Sequence, residues 1–145
     1  MGTYKKILVC LDLTTDSEQI VERALALARQ SGAEITLLHV VEYVPVEPMG
    51  EALLPAVQIE GELVERARTR MTEIATRFGL GAADRLVETG NIKGEVVRLA
   101  QERGVDLIVL GSRERHGVSI LFNFTEDTVL HAAPCDVLAV RLHKA

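Results

Sequence analysis

Two short stretches of this sequence place reactive or ligand-binding side chains at the ends of apolar runs. Asp12 follows "KKILVCL" (Lys5–Leu11), and Gly111-Ser112 closes "DLIVLG" (Asp106–Gly111). A carboxylate at position 12 could accept ribose hydroxyls, hold a metal, or cap the turn into a helix. Ser112 could offer its hydroxyl and backbone N–H to an anion near the start of the next helix, or serve as a turn residue. Arg113, Arg115 and His116 come next and could attract phosphate, although a charged loop can equally be solvated. The chemistry these groups suggest is the holding of a polyol and an anion rather than the making of bonds.

Motifs for other chemistry are missing. The chain has no G-x-x-x-x-G-K-[ST], G-x-G-x-x-G, G-x-S-x-G or H-E-x-x-H. His39, His116, His131 and His143 are not spaced as a ligand set, so no metal site is expected, and Asp127 with His131 reads as an i,i+4 pair. Cys10 and Cys135 lie in separate apolar segments outside any C-x-x-C and read as buried, reduced thiols. With 145 residues, 48% of them apolar, one domain spanning 1–145 can bury its own core. A net charge of −5 and the lack of a Lys/Arg run argue against nucleic acid or an anionic membrane as partner. With no secretory signal or apolar span of membrane length, a cytoplasmic location is expected.

The elements that must position these groups alternate in period. "KKILVCL", "EITLLHVV" (Glu34–Val41), "DLIVLG" and "DVLAVRL" (Asp136–Leu142) are continuous apolar runs suited to strands covered on both faces, with "RLVETG" (Arg85–Gly90) a weaker fifth. Helical spacing predicts helices over Ser17–Ser31, Val57–Phe78, Lys93–Gly104 and about Val118–Ala133, the last stopped by Pro134. Thr14 to Asp16 are the capping candidates of the first helix. The connection Glu42–Pro55 carries three of the four prolines and is too long for a plain turn, so it reads as a flap or partner surface. This alternation calls for one open, mainly parallel α/β sheet with helices on both faces. Ligands of such sheets lie outside the carboxyl ends of strands where the order reverses. That places a crevice between Leu11-Asp12 and Gly111-Ser112, rimmed by His39-Val40 and Thr89-Gly90.

Three separated blocks carry a family resemblance: "KKILVCLDLTTDSEQIVERALALARQSGAEITLLHVVE", "GNIKGEVVRLAQERGVDLIVLGSRERHG" and "TVLHAAPCDVLAVRL". In this order they resemble the universal stress protein family over nearly the whole chain, failing mainly at Glu42–Pro55. The resemblance implies a five-stranded parallel Rossmann-like sheet in the order 3-2-1-4-5. It also implies a homodimer whose last strand pairs across the interface, here Asp136, Val137, Leu138, Ala139, Val140, Arg141 and Leu142. Members act in stress survival, typically without a defined reaction; many bind ATP or AMP and some do not. By resemblance Asp12 would contact ribose and the Val40 backbone adenine. The candidate crevice is then Asp12, Val40, Gly90, Gly111, Ser112, Arg113, Gly117 and Thr125.

The family's phosphate motif is G-x-x-G, eight or nine residues, then Gly-Ser or Gly-Thr. Here the first glycine is Gly111, but the second falls on Glu114. The late pair falls on Asn123-Phe124 or Phe124-Thr125, according to the spacing used. Forcing Glu114 to positive φ would cost ~1–2 kcal/mol. Its carboxylate about 4 Å from a phosphate adds ~4 kcal/mol at an effective dielectric of about 20, less whatever it recovers by swinging into solvent. Each lost charge-assisted hydrogen bond removes ~1.5–3 kcal/mol. Half that total is two decades of affinity. Phe124, with Ile120, Leu121 and Phe122, reads instead as an apolar anchor on the sheet or a second subunit.

The expected function is a cytosolic stress-response homodimer working through protein contacts, with no catalytic residues, no expected cofactor and tight ATP binding lost. The alternative is an AMP- or ATP-binding sensor, or a slow ATP hydrolase. A phosphoacceptor domain of the response-regulator kind fits poorly, because Asp12 lacks an adjacent acid, strand 3 ends in Glu88-Thr89 and no Lys follows strand 4.

Overall fold

Continuous runs of Val, Ile and Leu are satisfied only where a strand is covered on both faces. The computed structural model, which describes residues 4–42, 50–112 and 129–142 without side-chain placement at 50–57, meets that demand. Its elements run β1 (Lys6–Cys10), α1 (Ser17–Ser31), β2 (Glu34–Val41), α2 (Gly50–Arg77), β3 (Asp84–Thr89), α3 (Ile92–Glu102), β4 (Leu107–Ser112) and β5 (Asp136–Arg141). The sheet order is β3-β2-β1-β4-β5, with every neighbouring pair parallel. This is the order and class expected.

Strand alternation sends successive side chains to opposite faces. Ile7, Val9, Leu37, Leu107 and Val109 point into one core layer with Ile20, Val21 and Ala24 of α1 and Met71, Ile74 and Ala75 of α2. Leu8, Leu38, Val40, Ile108 and Leu110 form the other with Val96, Leu99 and Ala100 of α3 and Val129. Gly32 stops α1: its φ is 70°, and its N–H donates to the Ala28 carbonyl.

Two expectations need correction. First, α2 begins at Gly50, so the last residues of the Glu42–Pro55 connection are helical. Pro55, which closes the expected connection, lies early in the helix, where only one backbone bond is lost. Glu51, Ala52, Leu53 and Leu54 are strong helix formers that carry the helix past it. Second, β1 is one residue shorter at each end than its apolar run, and β3 and β4 are each displaced by one residue, within the usual fraying of element ends. Of the fourth helix, 129–132 is helical; residues 113–128 lie outside the described residues, as do 43–49 of the connection.

Candidate functional site

Register alone assembles the crevice. Val9 pairs with Val109 on one side and Cys10 with Leu38 on the other. The Leu11 N–H continues the β1–β2 contact by one residue, so Asp12 opens the turn that follows β1 at the carboxyl ends of β2 and β4. Val40 is in turn level with Glu88 on β3, and Val41 with Thr89, which brings Gly90 to the same rim.

Asp12 is the hub of the turn into α1. Its Oδ1 accepts the Thr14 N–H at 3.1 Å, the Thr14 hydroxyl at 2.8 Å and the Ser17 hydroxyl at 3.0 Å. Ser17 is the one fully buried polar residue among the described residues, so Asp12 satisfies a hydroxyl that water does not reach. Asp16, the residue before the helix, makes no side-chain cap; the tie from Ser17 back to Asp12 takes that role. Between them Leu13 holds φ at 62°, the left-handed region that costs a non-glycine residue ~1–2 kcal/mol. The conformation drives the Leu13 side chain into the α1/α2 core layer, and its burial offsets the strain.

Two neighbours brace this turn. The His39 Nδ1–H donates to the Leu11 carbonyl at 2.8 Å, and the Leu11 N–H donates to the Leu38 carbonyl at 2.8 Å. Both partners belong to β2, which thereby holds the residue before Asp12 at its N–H and its carbonyl. On the far side of β2 the Gly90 N–H donates to the Val41 carbonyl at 3.1 Å. Since Leu38 faces β1 and Val41 faces β3, alternation turns the Val40 backbone groups toward β1, just past its last paired residue. The Val40 side chain itself is buried in the α3-side layer.

Gly90 has φ of 139°, a backbone region closed to most residues, as the chain swings from β3 into α3. The first turn of α3 is capped internally. Asn91 Oδ1 accepts the Gly94 N–H at 2.9 Å, and Glu42 Oε2 accepts the Ile92 N–H at 2.7 Å. Glu88 lies 3.7 Å from Arg98, which also binds Glu95 and Glu102. Glu95 and Glu102 hold the Arg98 guanidinium well above its ordinary pKa, with the Glu95 hydrogen bond the largest cause. Glu88 therefore engages α3, and among the described residues no three His, Cys, Asp or Glu cluster as a metal site.

Gly111 has a role the sequence does not announce. A Cβ built on it would lie 2.9 Å from Ile20 Cδ1, 2.9 Å from Leu142 Cδ1 and 3.4 Å from Leu142 Cγ. The absence of a side chain lets α1 and the end of β5 close on β4. Ser112 follows, and its carbonyl accepts the Leu142 N–H at 2.9 Å.

The structure therefore brings Asp12, Val40, Gly90, Gly111 and Ser112 to one edge. Arg113, Glu114, Arg115, His116, Gly117, Asn123, Phe124, Thr125 and Asp127 lie outside the described residues. Segment 136–142 contains the edge strand β5, which pairs with β4 through Ser112↔Arg141; Val140 is buried and Asp136 Oδ2 accepts the Tyr4 hydroxyl at 2.9 Å. That bond raises the Tyr4 pKa. Sequence reasoning missed Ser17, Leu13 and Glu42, and placed His39 on the rim without its bond to Leu11. Of these only Ser17 left a signal, in the Asp-x-Thr-x-x-Ser spacing of a side-chain-capped turn. The thiols, expected to be buried, are both half-buried; desolvation pushes Cys10 up to about 12, and raises Cys135 with help from Asp136 and Asp106. A cavity of about 730 Å³ opens at the other end of the sheet, among Lys6, Arg29, Glu34 and Arg103, away from the strand carboxyl ends.

The model of the universal stress protein family matches residues 3–141. This chain belongs to the universal stress protein family. It is 39% identical over 143 residues to universal stress protein A homolog 2 of Coxiella burnetii, covering 98% of each chain. Among solved structures, universal stress protein UspA from Lactobacillus plantarum superposes with a TM-score of 0.72 at 23% identity, over 97% of this chain and 100% of that one. A universal stress protein crystallised in complex with cAMP superposes with a TM-score of 0.63 at 21% identity, over 94% of this chain and 96% of the other. Both likenesses speak for the fold. Among the described residues no helix is long and apolar enough to cross a membrane.

Proposed function

We propose that this universal stress protein is a non-enzymatic, cytoplasmic stress-response module of one domain, residues 1–145, acting as a homodimer through protein contacts and without tight ATP binding. The observation that carries this reading is Gly111. It is the motif glycine that survives, and the space beside it is already taken by Ile20 and Leu142. Its retention is explained by packing, while the positions that would have to approach phosphate hold Glu114, Asn123 and Phe124. The dimer would use the backbone edge of β5 over Asp136–Leu142, because an edge strand offers a ready row of unpaired donors and acceptors.

Isothermal titration with ATP-Mg²⁺ and with AMP tests the reading. ATP affinity weaker than about 100 μM is expected, and micromolar ATP binding would overturn it. A variant carrying Glu114→Gly, Asn123→Gly and Phe124→Ser should gain about two decades in ATP affinity from the terms above. Sedimentation equilibrium tests the dimer separately.

A second reading is a weak AMP or adenosine site. It is favoured by one geometric fact: Asp12 lies two residues past the Cys10↔Leu38 pair, and Val40 lies two residues past it on β2. The cAMP complex of a related fold makes a purine nucleotide a reasonable probe.

A further inference from the structure

The two walls of the crevice are keyed to each other through residues that touch no ligand. On one wall, Asp12 binds Ser17 at the start of α1, and Ile20, three residues on, stands over Gly111. On the other, Leu142 meets Gly111 with its side chain and the Ser112 carbonyl with its N–H, at 2.9 Å. Ile20 is 2% exposed and fixed within the core, whereas Leu142 lies just past the last residue of β5. Of the two, Leu142 is the one able to give way.

We infer that Leu142 is a positioning residue of the crevice: its side chain seats in the socket left by Gly111 and its N–H holds the Ser112 carbonyl, so the carboxyl end of β5 sets where β4 delivers Ser112. The consequence is a mechanical link between the outer edge of the sheet and the ligand rim. A partner strand that shifts β5 moves Leu142, and with it Ser112 relative to Asp12. Reciprocally, a ligand that fixes Ser112 steadies the end of β5. The inference rests on reading the crevice as a ligand site; the socket itself is tested without any ligand.

The test is a cycle of Gly111→Ala, Leu142→Ala and the double variant, read by amide hydrogen exchange and by AMP titration, with circular dichroism to confirm folding. In Gly111→Ala the new methyl group displaces Leu142, and exchange at the Leu142 amide should rise at least tenfold. The double variant, in which the displaced side chain is gone, should return to within about threefold of wild type. Exchange in the double variant as fast as in Gly111→Ala would overturn the socket. Leu142→Ala, which cannot clash, should loosen Ser112 while leaving the Thr14 amide of the Asp12 turn unchanged; equal loosening of both would show a merely global effect and also overturn it. Where the wild-type chain binds AMP, Gly111→Ala should weaken it at least fivefold and the double variant recover it, and an unchanged affinity counts against positioning. A wild-type chain that binds no AMP removes the ligand reading, and the exchange cycle still decides the socket.

Discussion

Replacing Asp12 by Ala and by Asn separates the two roles its carboxylate can play. In the Ala variant Oδ1 disappears and three donors lose their acceptor. The Thr14 N–H and hydroxyl are exposed and water replaces much of what they lose, leaving ~0.5–1 kcal/mol for the pair. Ser17 is different: it is 0% exposed, so its hydroxyl is stranded at a cost of ~1–3 kcal/mol. The total is about 2–4 kcal/mol, which for a domain of this size lowers Tm by about 6–14 °C. In the Asn variant an amide oxygen, with two lone pairs, can keep the Ser17 bond and one Thr14 bond, and water serves the exposed third donor. The loss is the difference between a charged and a neutral acceptor, about 1 kcal/mol or less. Thermal and urea unfolding of both variants is the assay. Should Asp12→Ala melt within about 2 °C of wild type, Ser17 has another acceptor and Asp12 is not the hub of the turn. The same pair reports on ligand: a ribose contact predicts that Asp12→Asn, folded and nearly as stable, loses AMP affinity at least fivefold.

Three further outcomes are expected. Leu13→Ala should cost about 2–3 kcal/mol for lost core packing, and Leu13→Gly no more than that, because glycine relieves the strain at φ of 62°; a glycine variant clearly less stable than the alanine one would show the strain to be absent. The Cys10 thiol, pushed from 9.0 up to about 12, keeps its proton in the folded chain while the unfolded chain sheds it, so stability contributed there falls as pH climbs from about 9 toward 12. Cys10→Val should remove ~1–2 kcal/mol of the stability lost between pH 8 and 10.5, and an unchanged urea midpoint shift between wild type and variant would contradict this. Glu42→Ala should speed exchange of the Ile92 amide severalfold and cost ~0.5–1.5 kcal/mol, since that N–H loses its acceptor at the start of α3; amide exchange measured at Ile92 settles it.

Much of the scaffold was readable because burial on two faces leaves so plain a mark. Unbroken runs such as "ILVC" and "LIVL" cannot be amphipathic, and their alternation with helical spacing leaves few topologies. The bounds of α1 and β2 coincide with the pattern, since Gly32 and the apolar run after it punctuate the chain sharply. The start of α2 was hidden because three prolines outweigh a few helix formers in a local reading, whereas a helix already packed along most of its length tolerates one missing bond. At the site, the position of Asp12 was legible and its bonding was not. Whether a strand-end carboxylate faces a ligand or its own turn depends on Ser17 being buried, and burial is a property of the packed molecule. Glu42 was harder still, because its partner Ile92 is 50 residues away and meets it only through the β2–β3 register.

A retained motif residue counts as evidence of ligand binding only to the extent that the empty fold could do without it. Asp12 satisfies a buried hydroxyl and orders the first turn of α1; Gly111 makes room for Ile20 and Leu142. Both would be kept by a chain of this fold that never met a nucleotide, because losing either one disturbs the core or the turn beside it. The weight therefore shifts to Glu114, an acid where the family's motif has its second glycine. A phosphate loop needs close backbone approach and no like charge. Under the proposed function, an acid that opposes those needs weighs more than two retained residues that the scaffold already demands.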